Sequence, residues 1–209
     1  MKKDPKDIVK EGYNKIARQY DEYRESFNNE TELNEFMSLL KPGGPILDAG
    51  CGSGVVARIL VDKGFQVTGI DISLKMLELA KSLVPEATFE VGDMTALQFE
   101  DDSFDGIVST YAVFHIPREE HFGLFQDFHR MLKKGGALLL SIGSKESGAD
   151  EAWVWDEFQS VPMYSSYYPP SKTVELLESA DFQIVFARNA EIVFGGNPET
   201  HFWILAKAI

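Results

Sequence analysis

Cysteine is nearly missing from this chain: Cys51 is the single copy, so no intrachain disulfide can form and nothing argues for an oxidising compartment. Basic residues are also in short supply. With 33 acidic against 20 basic side chains the formal charge is −13, and no Lys/Arg-rich stripe offsets a surface that repels phosphate polyanions and anionic lipid. Nucleic acid and membrane are therefore not expected partners, and a neutral or cationic small molecule suits the field better. Long apolar runs are absent, and Met1–Lys10 alternates charges where a secretory signal would be apolar, so a cytoplasmic protein is the expectation. Metal-ligating patterns are scarce too. The four histidines include no pair at helical ligand spacing and there is no cysteine cluster, which leaves only an all-oxygen acidic site open. No internal repeat, low-complexity tract or signature of oligomeric state is visible.

What is present fits one domain of 209 residues. From Asp4 to Leu40, apolar and aromatic positions such as Ile8, Tyr13, Ile16, Tyr20, Leu33 and Phe36 recur at helical spacing, until Lys41–Pro45 stops the pattern. Short apolar runs then alternate with amphipathic stretches, as repeated βαβ units require. Strands are predicted at Ile46–Leu47, Gln66–Ile70, Thr88–Val91, Gly106–Ser109 and Ala137–Ile142. Helices are predicted over Val55–Lys63, Ser73–Leu83, Met94–Leu97 and Arg118–Lys133. Lys172–Ala180 reads as a further helix. Phe182–Ala187 and Phe202–Lys207 read as strands whose connection is too short for a crossover, hence an antiparallel pair. Between them and the fifth strand, Ser144–Pro170 carries Trp153, Trp155, Phe158, Tyr164, Tyr167 and Tyr168, either as a lid on the substrate side or as an aromatic patch on the sheet's flank.

Three strand ends carry chemistry. Asp48-Ala49-Gly50-Cys51-Gly52-Ser53-Gly54 runs from a strand into a glycine-spaced turn that opens a helix, a place where bare backbone and unpaired N–H groups meet a ligand. The dinucleotide fingerprint needs a third glycine where Val55 stands, and Asp48 puts a carboxylate where a pyrophosphate would be repelled. A ligand with a cationic head fits better than a nicotinamide dinucleotide. Asp71, closing the second strand, suits the two hydroxyls of an adenosine ribose, or else caps the helix beginning near Ser73. Asp93, in Gly92-Asp93-Met94, suits an adenine amine with Met94 beside the ring, or else caps a short helix.

In order and spacing these motifs, with Phe104-Asp105-Gly106-Ile107-Val108-Ser109 and Leu132-Lys133-Lys134-Gly135-Gly136, resemble those of class I S-adenosylmethionine-dependent methyltransferases over residues 45 to 142. The resemblance implies an α/β fold: a three-layer, Rossmann-like, doubly wound sheet of seven strands, mostly parallel with the last antiparallel, preceded by N-terminal helices. It implies S-adenosylmethionine as cofactor and methyl transfer to O, N or C of a small metabolite; a cofactor-binding module without catalysis is the alternative. By position, Asp48, Gly50, Cys51, Gly52 and Gly54 would hold the methionine moiety. Asp71 would hold the ribose and Asp93 with Met94 the adenine, with Ile72, Met76 and Gly92 also on the cofactor. Ser109 would offer its carbonyl to the methionine ammonium, and Tyr20 is placed to close over the cofactor from residues 1–41. A general base is optional, because the sulfonium methyl is already electrophilic; a hydroxyl or protonated amine as acceptor is the case that calls for one. His115, just past the fourth strand, is the candidate base, with a structural turn as its other reading. Tyr111 either lines the acceptor pocket or packs beside it.

Overall fold

The computed structural model describes residues 3–24, 30–145, 149–156, 161–194 and 197–209. Helix α1 (Pro5–Arg24) opens on a proline, whose fixed φ suits the first helical position, with Asp7 facing the positive end of the helix dipole. Helix α2 (Glu30–Ser38) buries Leu33 and Phe36 completely. Then follow β1 (Pro45–Ala49), α3 (Val55–Asp62), β2 (Gln66–Asp71), α4 (Leu74–Leu83), β3 (Thr88–Val91), β4 (Phe104–Ser109), α5 (His121–Met131) and β5 (Leu132–Gly143). The chain continues through β6 (Ala149–Asp156), β7 (Val161–Tyr167), α6 (Pro170–Ser179), β8 (Phe182–Phe194) and β9 (Asn197–Ala208).

Seven strands form one sheet in the order β3-β2-β1-β4-β5-β9-β8. The first five are mutually parallel, and β9, the last strand in the chain, runs antiparallel to both β5 and β8. Each central strand is apolar almost throughout because both faces are covered, as parallel sheets demand. The two-residue period sorts these side chains. Ile46, Val108 and Leu139 pack with α2, α3 and α4 on one face, and Leu47, Ile107 and Leu138 with α5 and α6 on the other. Strand order reverses between β1 and β4, and in such sheets a crevice opens at that switch point beyond the strands' carboxyl ends.

Several elements depart from the sequence pattern. The predicted helix over Met94–Leu97 is a turn, held by Asp93 and Thr95. The predicted helix from Arg118 to Lys133 divides: a single 3-10 turn covers Arg118–Glu120, α5 follows, and Leu132 is already extended and paired with Phe104. Apolar periodicity did not register that switch, since Leu132 is buried in either conformation. Ser144–Pro170 contains a two-stranded antiparallel sheet of β6 and β7, with Trp153 opposite Tyr164 and Trp155 opposite Pro162. Phe158 lies outside the described residues. A third apolar cluster, Ile16 with Val161 and Met163, joins α1 to β7 apart from the two main cores. No described helix is long and apolar enough to cross a membrane.

Candidate active site

Beyond the carboxyl ends of β1, β2 and β4, with residues of α1 in its wall, lies a cavity of roughly 790 Å³, its open mouth included. Its floor is the turn after β1. Gly50 and Cys51 donate their N–H groups to the Ile70 carbonyl (2.8 and 3.0 Å), which fastens the turn to β2. Gly50, Gly52 and Gly54 all have positive φ, at 80°, 53° and 89°. Their surroundings differ. A Cβ on Gly50 would sit 2.4 Å from the Ala112 Cβ, and one on Gly54 would sit 3.1 Å from Ala80, whereas one on Gly52 would meet nothing within 4 Å. Gly52 is therefore the place where uncovered backbone faces open space.

Asp71 stands beside it. Its Oδ2 accepts the Gly52 N–H (2.9 Å) and its Oδ1 the Ser73 N–H (2.8 Å). Burial raises its pKa to about 6 although both bonds oppose the shift. The side chain that caps α4 is Ser73, whose hydroxyl accepts the Met76 N–H (3.2 Å). Ile72 and Met76 line the cavity next to Asp71, and Gly92, Asp93 and Met94 line it further along the sheet. Asp93 accepts from the Thr95 N–H and hydroxyl through Oδ1 (2.9 and 2.8 Å) and faces Lys6 Nζ through Oδ2 (3.0 Å). Burial would raise its pKa, but those partners outweigh burial and hold it below the ordinary value.

Tyr13 and Tyr20 of α1 and the segment after β4 complete the wall. Tyr111 has a left-handed φ of 57°, its N–H donating to the buried Ser141 hydroxyl (2.8 Å) and its ring meeting His201 edge to face. His115 Nδ1 lies 2.7 Å from the Tyr164 carbonyl and Nε2 lies 2.8 Å from the Tyr13 hydroxyl. A carbonyl can only accept, so Nδ1 carries the hydrogen and Nε2 accepts from Tyr13. Burial lowers the His115 pKa to about 4 in spite of the Tyr164 bond, so the imidazole is neutral at neutral pH and weaker as a base than its ordinary value suggests.

Of the residues expected from sequence, Tyr20, Gly50, Cys51, Gly52, Asp71, Ile72, Met76, Gly92, Asp93, Met94, Tyr111 and His115 all line this cavity. Asp48, Gly54 and Ser109 stand behind its wall. Asp48 is enclosed within β1, Gly54 begins α3 against α4, and Ser109 is fully buried with its hydroxyl donating to the Ala49 carbonyl (2.7 Å). The wall residue after β4 is Thr110, one position later, because Ser109 is still paired within the sheet. Sequence reasoning missed Lys6, Val9, Tyr13 and Thr110 as wall residues. Tyr13 and Val9 carried a signal, the helical periodicity, but that pattern reports a buried face without saying what it faces. Of the other histidines, His121 is fully buried with Nε2 3.0 Å from the Ile116 carbonyl, and His129 packs against Phe182.

A family model described as a methyltransferase domain matches residues 46–136. A 2-methyl-6-phytyl-1,4-hydroquinone methyltransferase of Synechocystis is 41% identical over 109 residues, covering 50% of this chain and 34% of that protein. Phosphoethanolamine N-methyltransferase 2 of Caenorhabditis elegans is 34% identical over 134 residues, covering 61% and 29%. The chain thus spans about a third of the length of these curated relatives. Among solved structures, a SAM-dependent methyltransferase of Methanosarcina mazei superposes with a TM-score of 0.74 at 25% identity, covering 85% of this chain and 97% of the other. The magnesium protoporphyrin IX methyltransferase of Synechocystis, solved with bound SAM, has the same fold (TM-score 0.72, 19% identity, 99% and 98% covered).

Proposed function

We propose, from the premise that this chain belongs to the class I S-adenosylmethionine-dependent methyltransferases, that it binds that cofactor along the Gly50–Gly54 turn and passes the methyl group to a small-molecule acceptor beside Tyr13 and His115. One observation carries the reading: a single cavity joins uncovered Gly52 backbone, two carboxylates at successive strand ends and a half-buried tyrosine–histidine pair. The residues fit the cofactor. Gly52 leaves room for close approach, Asp71 accepts from ribose hydroxyls, and Asp93 accepts from the adenine amine with Met94 beside the ring.

When bound, S-adenosylmethionine supplies a sulfonium methyl that needs no further activation, so the protein's contribution is alignment and exclusion of water. Tyr13 and Tyr20 supply the exclusion from α1. Tyr13 also holds a proton path: its oxygen takes the proton leaving an acceptor O–H or N–H while its own hydrogen passes to His115 Nε2. The Tyr164 carbonyl keeps Nδ1–H oriented throughout. Placing a full charge on this imidazole at pH 7 costs about 4 kcal/mol, since its pKa is about 4 and each unit is worth about 1.4 kcal/mol. That cost weighs against forming a charged imidazole before methyl transfer.

Calorimetry with S-adenosylmethionine, S-adenosylhomocysteine and NAD tests the cofactor assignment, with uptake of the first two alone expected. Quinols, amines and hydroxylated aromatics, the acceptor types suggested by the relatives' names, form the panel for methyl-labelled turnover. Tight cofactor binding with no product across that panel would favour a binding module over an enzyme.

A further inference from the structure

Lys6, at the start of α1, reaches across the cavity wall to three groups at once. Its ammonium lies 2.6 Å from Glu120 Oε2, 2.6 Å from the Thr95 hydroxyl and 3.0 Å from Asp93 Oδ2, which engages all three of its hydrogens. The side chain is only 19% exposed. Burial by itself would lower its pKa, but Glu120 and Asp93 raise it above the ordinary value, so the charge is retained. The Thr95 hydroxyl donates to Asp93 Oδ1 while accepting from Lys6, so the three side chains form one hydrogen-bonded ring.

A carboxylate has about four acceptor positions. On Asp93 the Thr95 N–H and hydroxyl take two on Oδ1, and Lys6 takes one on Oδ2. One position on Oδ2 is left, on a group kept ionised and fixed in orientation. Such a group accepts from an N–H donor and repels a carbonyl oxygen.

We infer that Lys6 is a positioning residue that acts through Asp93, making recognition of a 6-amino purine and closure of α1 over the cavity a single event. The inference rests on the reading of Asp93 as the adenine contact. Closure has a second anchor: the Asn14 side-chain oxygen accepts from the Ser73 hydroxyl (2.9 Å) and the Lys75 N–H (3.1 Å) at the start of α4. That anchor lies on the Asp71 side of the cavity, so α1 is pinned at both ends of the proposed nucleoside. The base is read only when the helix is down, and the helix is held down partly by the residue that reads the base.

The test needs no acceptor. Stopped-flow release of S-adenosylhomocysteine and of its 6-oxo analogue, S-inosylhomocysteine, is measured for the wild type and Lys6→Met. In the variant, release of the adenine compound is expected to quicken roughly tenfold with association nearly unchanged, and the preference over the 6-oxo analogue is expected to shrink by a similar factor. High salt should move the wild type part of the way towards the variant. A merely structural lysine would not alter base preference. If Lys6→Met matches the wild type within twofold in both release rate and base preference, the inference is overturned. If Lys6→Met does not fold, Glu120→Gln decides: a faster release supports the coupling, and an unchanged one overturns it. Failure of the wild type to take up S-adenosylhomocysteine removes the proposed function and this inference together, whereas uptake indifferent to Lys6 removes the inference alone.

Discussion

Replacing Gly52 with alanine adds a methyl group at the point where the turn after β1 faces the cavity, at a φ of 53°. The left-handed conformation costs a residue with a Cβ roughly 1–2 kcal/mol. No protein atom lies within 4 Å of the new methyl, so no steric term adds to that cost. For a chain of this length the loss lowers the melting temperature by roughly 2–8 °C, leaving a folded protein at room temperature. Binding should suffer far more. The methyl takes space that ligand atoms must enter, and forcing such an overlap costs roughly 1–3 kcal/mol, about a 5- to 150-fold weaker affinity for S-adenosylhomocysteine. Gly50→Ala and Gly54→Ala serve as the contrast, because their methyl groups meet Ala112 at 2.4 Å and Ala80 at 3.1 Å and so strike the protein itself. Both should melt earlier than Gly52→Ala. Thermal melts paired with calorimetry on the three variants check this ordering. A Gly52→Ala protein that binds within threefold of the wild type would show that the ligand does not approach this backbone.

Other expectations concern titration and capping. Asp71 has a folded pKa of about 6 against an ordinary 3.8, so the ligand-free protein is stabilised at low pH and loses that contribution as pH rises through 6. Because the ionised form is the ribose acceptor, affinity for S-adenosylhomocysteine should fall up to about tenfold per pH unit below 6; calorimetry at pH 5 and 7.5 would expose a flat profile if Asp71 has no such part. His115, with its pKa lowered from 6.5 to about 4, contributes stability above 6.5 that is lost as pH falls towards 4. Its nitrogen resonances should report a neutral, Nδ1-protonated ring at pH 6, and half-protonation near 6.5 would contradict its burial. Ser73→Ala removes the cap on α4 and the bond to Asn14, and thermal melts should show a loss of about 1–2 kcal/mol.

The seven-stranded sheet was legible because its signals are local: apolar runs of two to six residues mark its strands, and glycine or aspartate follows the first three. The same local signals placed most of the cavity wall, since successive βα turns open at one edge of a parallel sheet. What escaped is what distance in the chain conceals. Lys6 meets Thr95 and Glu120 across 89 and 114 residues, and Tyr13 meets His115 across 102, with no spacing to mark either pair. Strands β6 and β7 escaped for another reason. Aromatic residues suit strand, lid and core alike, and pairing rather than composition distinguishes them. The lowered pKa of His115 has no local signal either, because the burial that causes it depends on contacts with Tyr164 and Tyr13.

Net charge says little about one pocket, but Cys51 reports the potential within this one. Its thiol lies in the glycine turn, and its pKa stands well above the ordinary value, first through burial and then through the nearby carboxylates of Asp48 and Asp71. The carboxylate part of that shift opposes a bound anion and favours a bound cation at that spot, whereas the burial part opposes charge of either sign. Nicotinamide dinucleotides would bring a pyrophosphate to this turn, against that potential; S-adenosylmethionine, whose sulfonium and ammonium outnumber its one carboxylate, would bring a net positive charge. Although Asp48 does not line the cavity, its carboxylate acts on the turn through a medium of low dielectric, as its part in the Cys51 shift records. Asp48→Asn should therefore weaken S-adenosylmethionine more than the uncharged-sulfur product S-adenosylhomocysteine. Equal losses for the two, measured by calorimetry at one pH, would mean that Asp48 acts through packing alone and that the potential at the turn does not choose the cofactor.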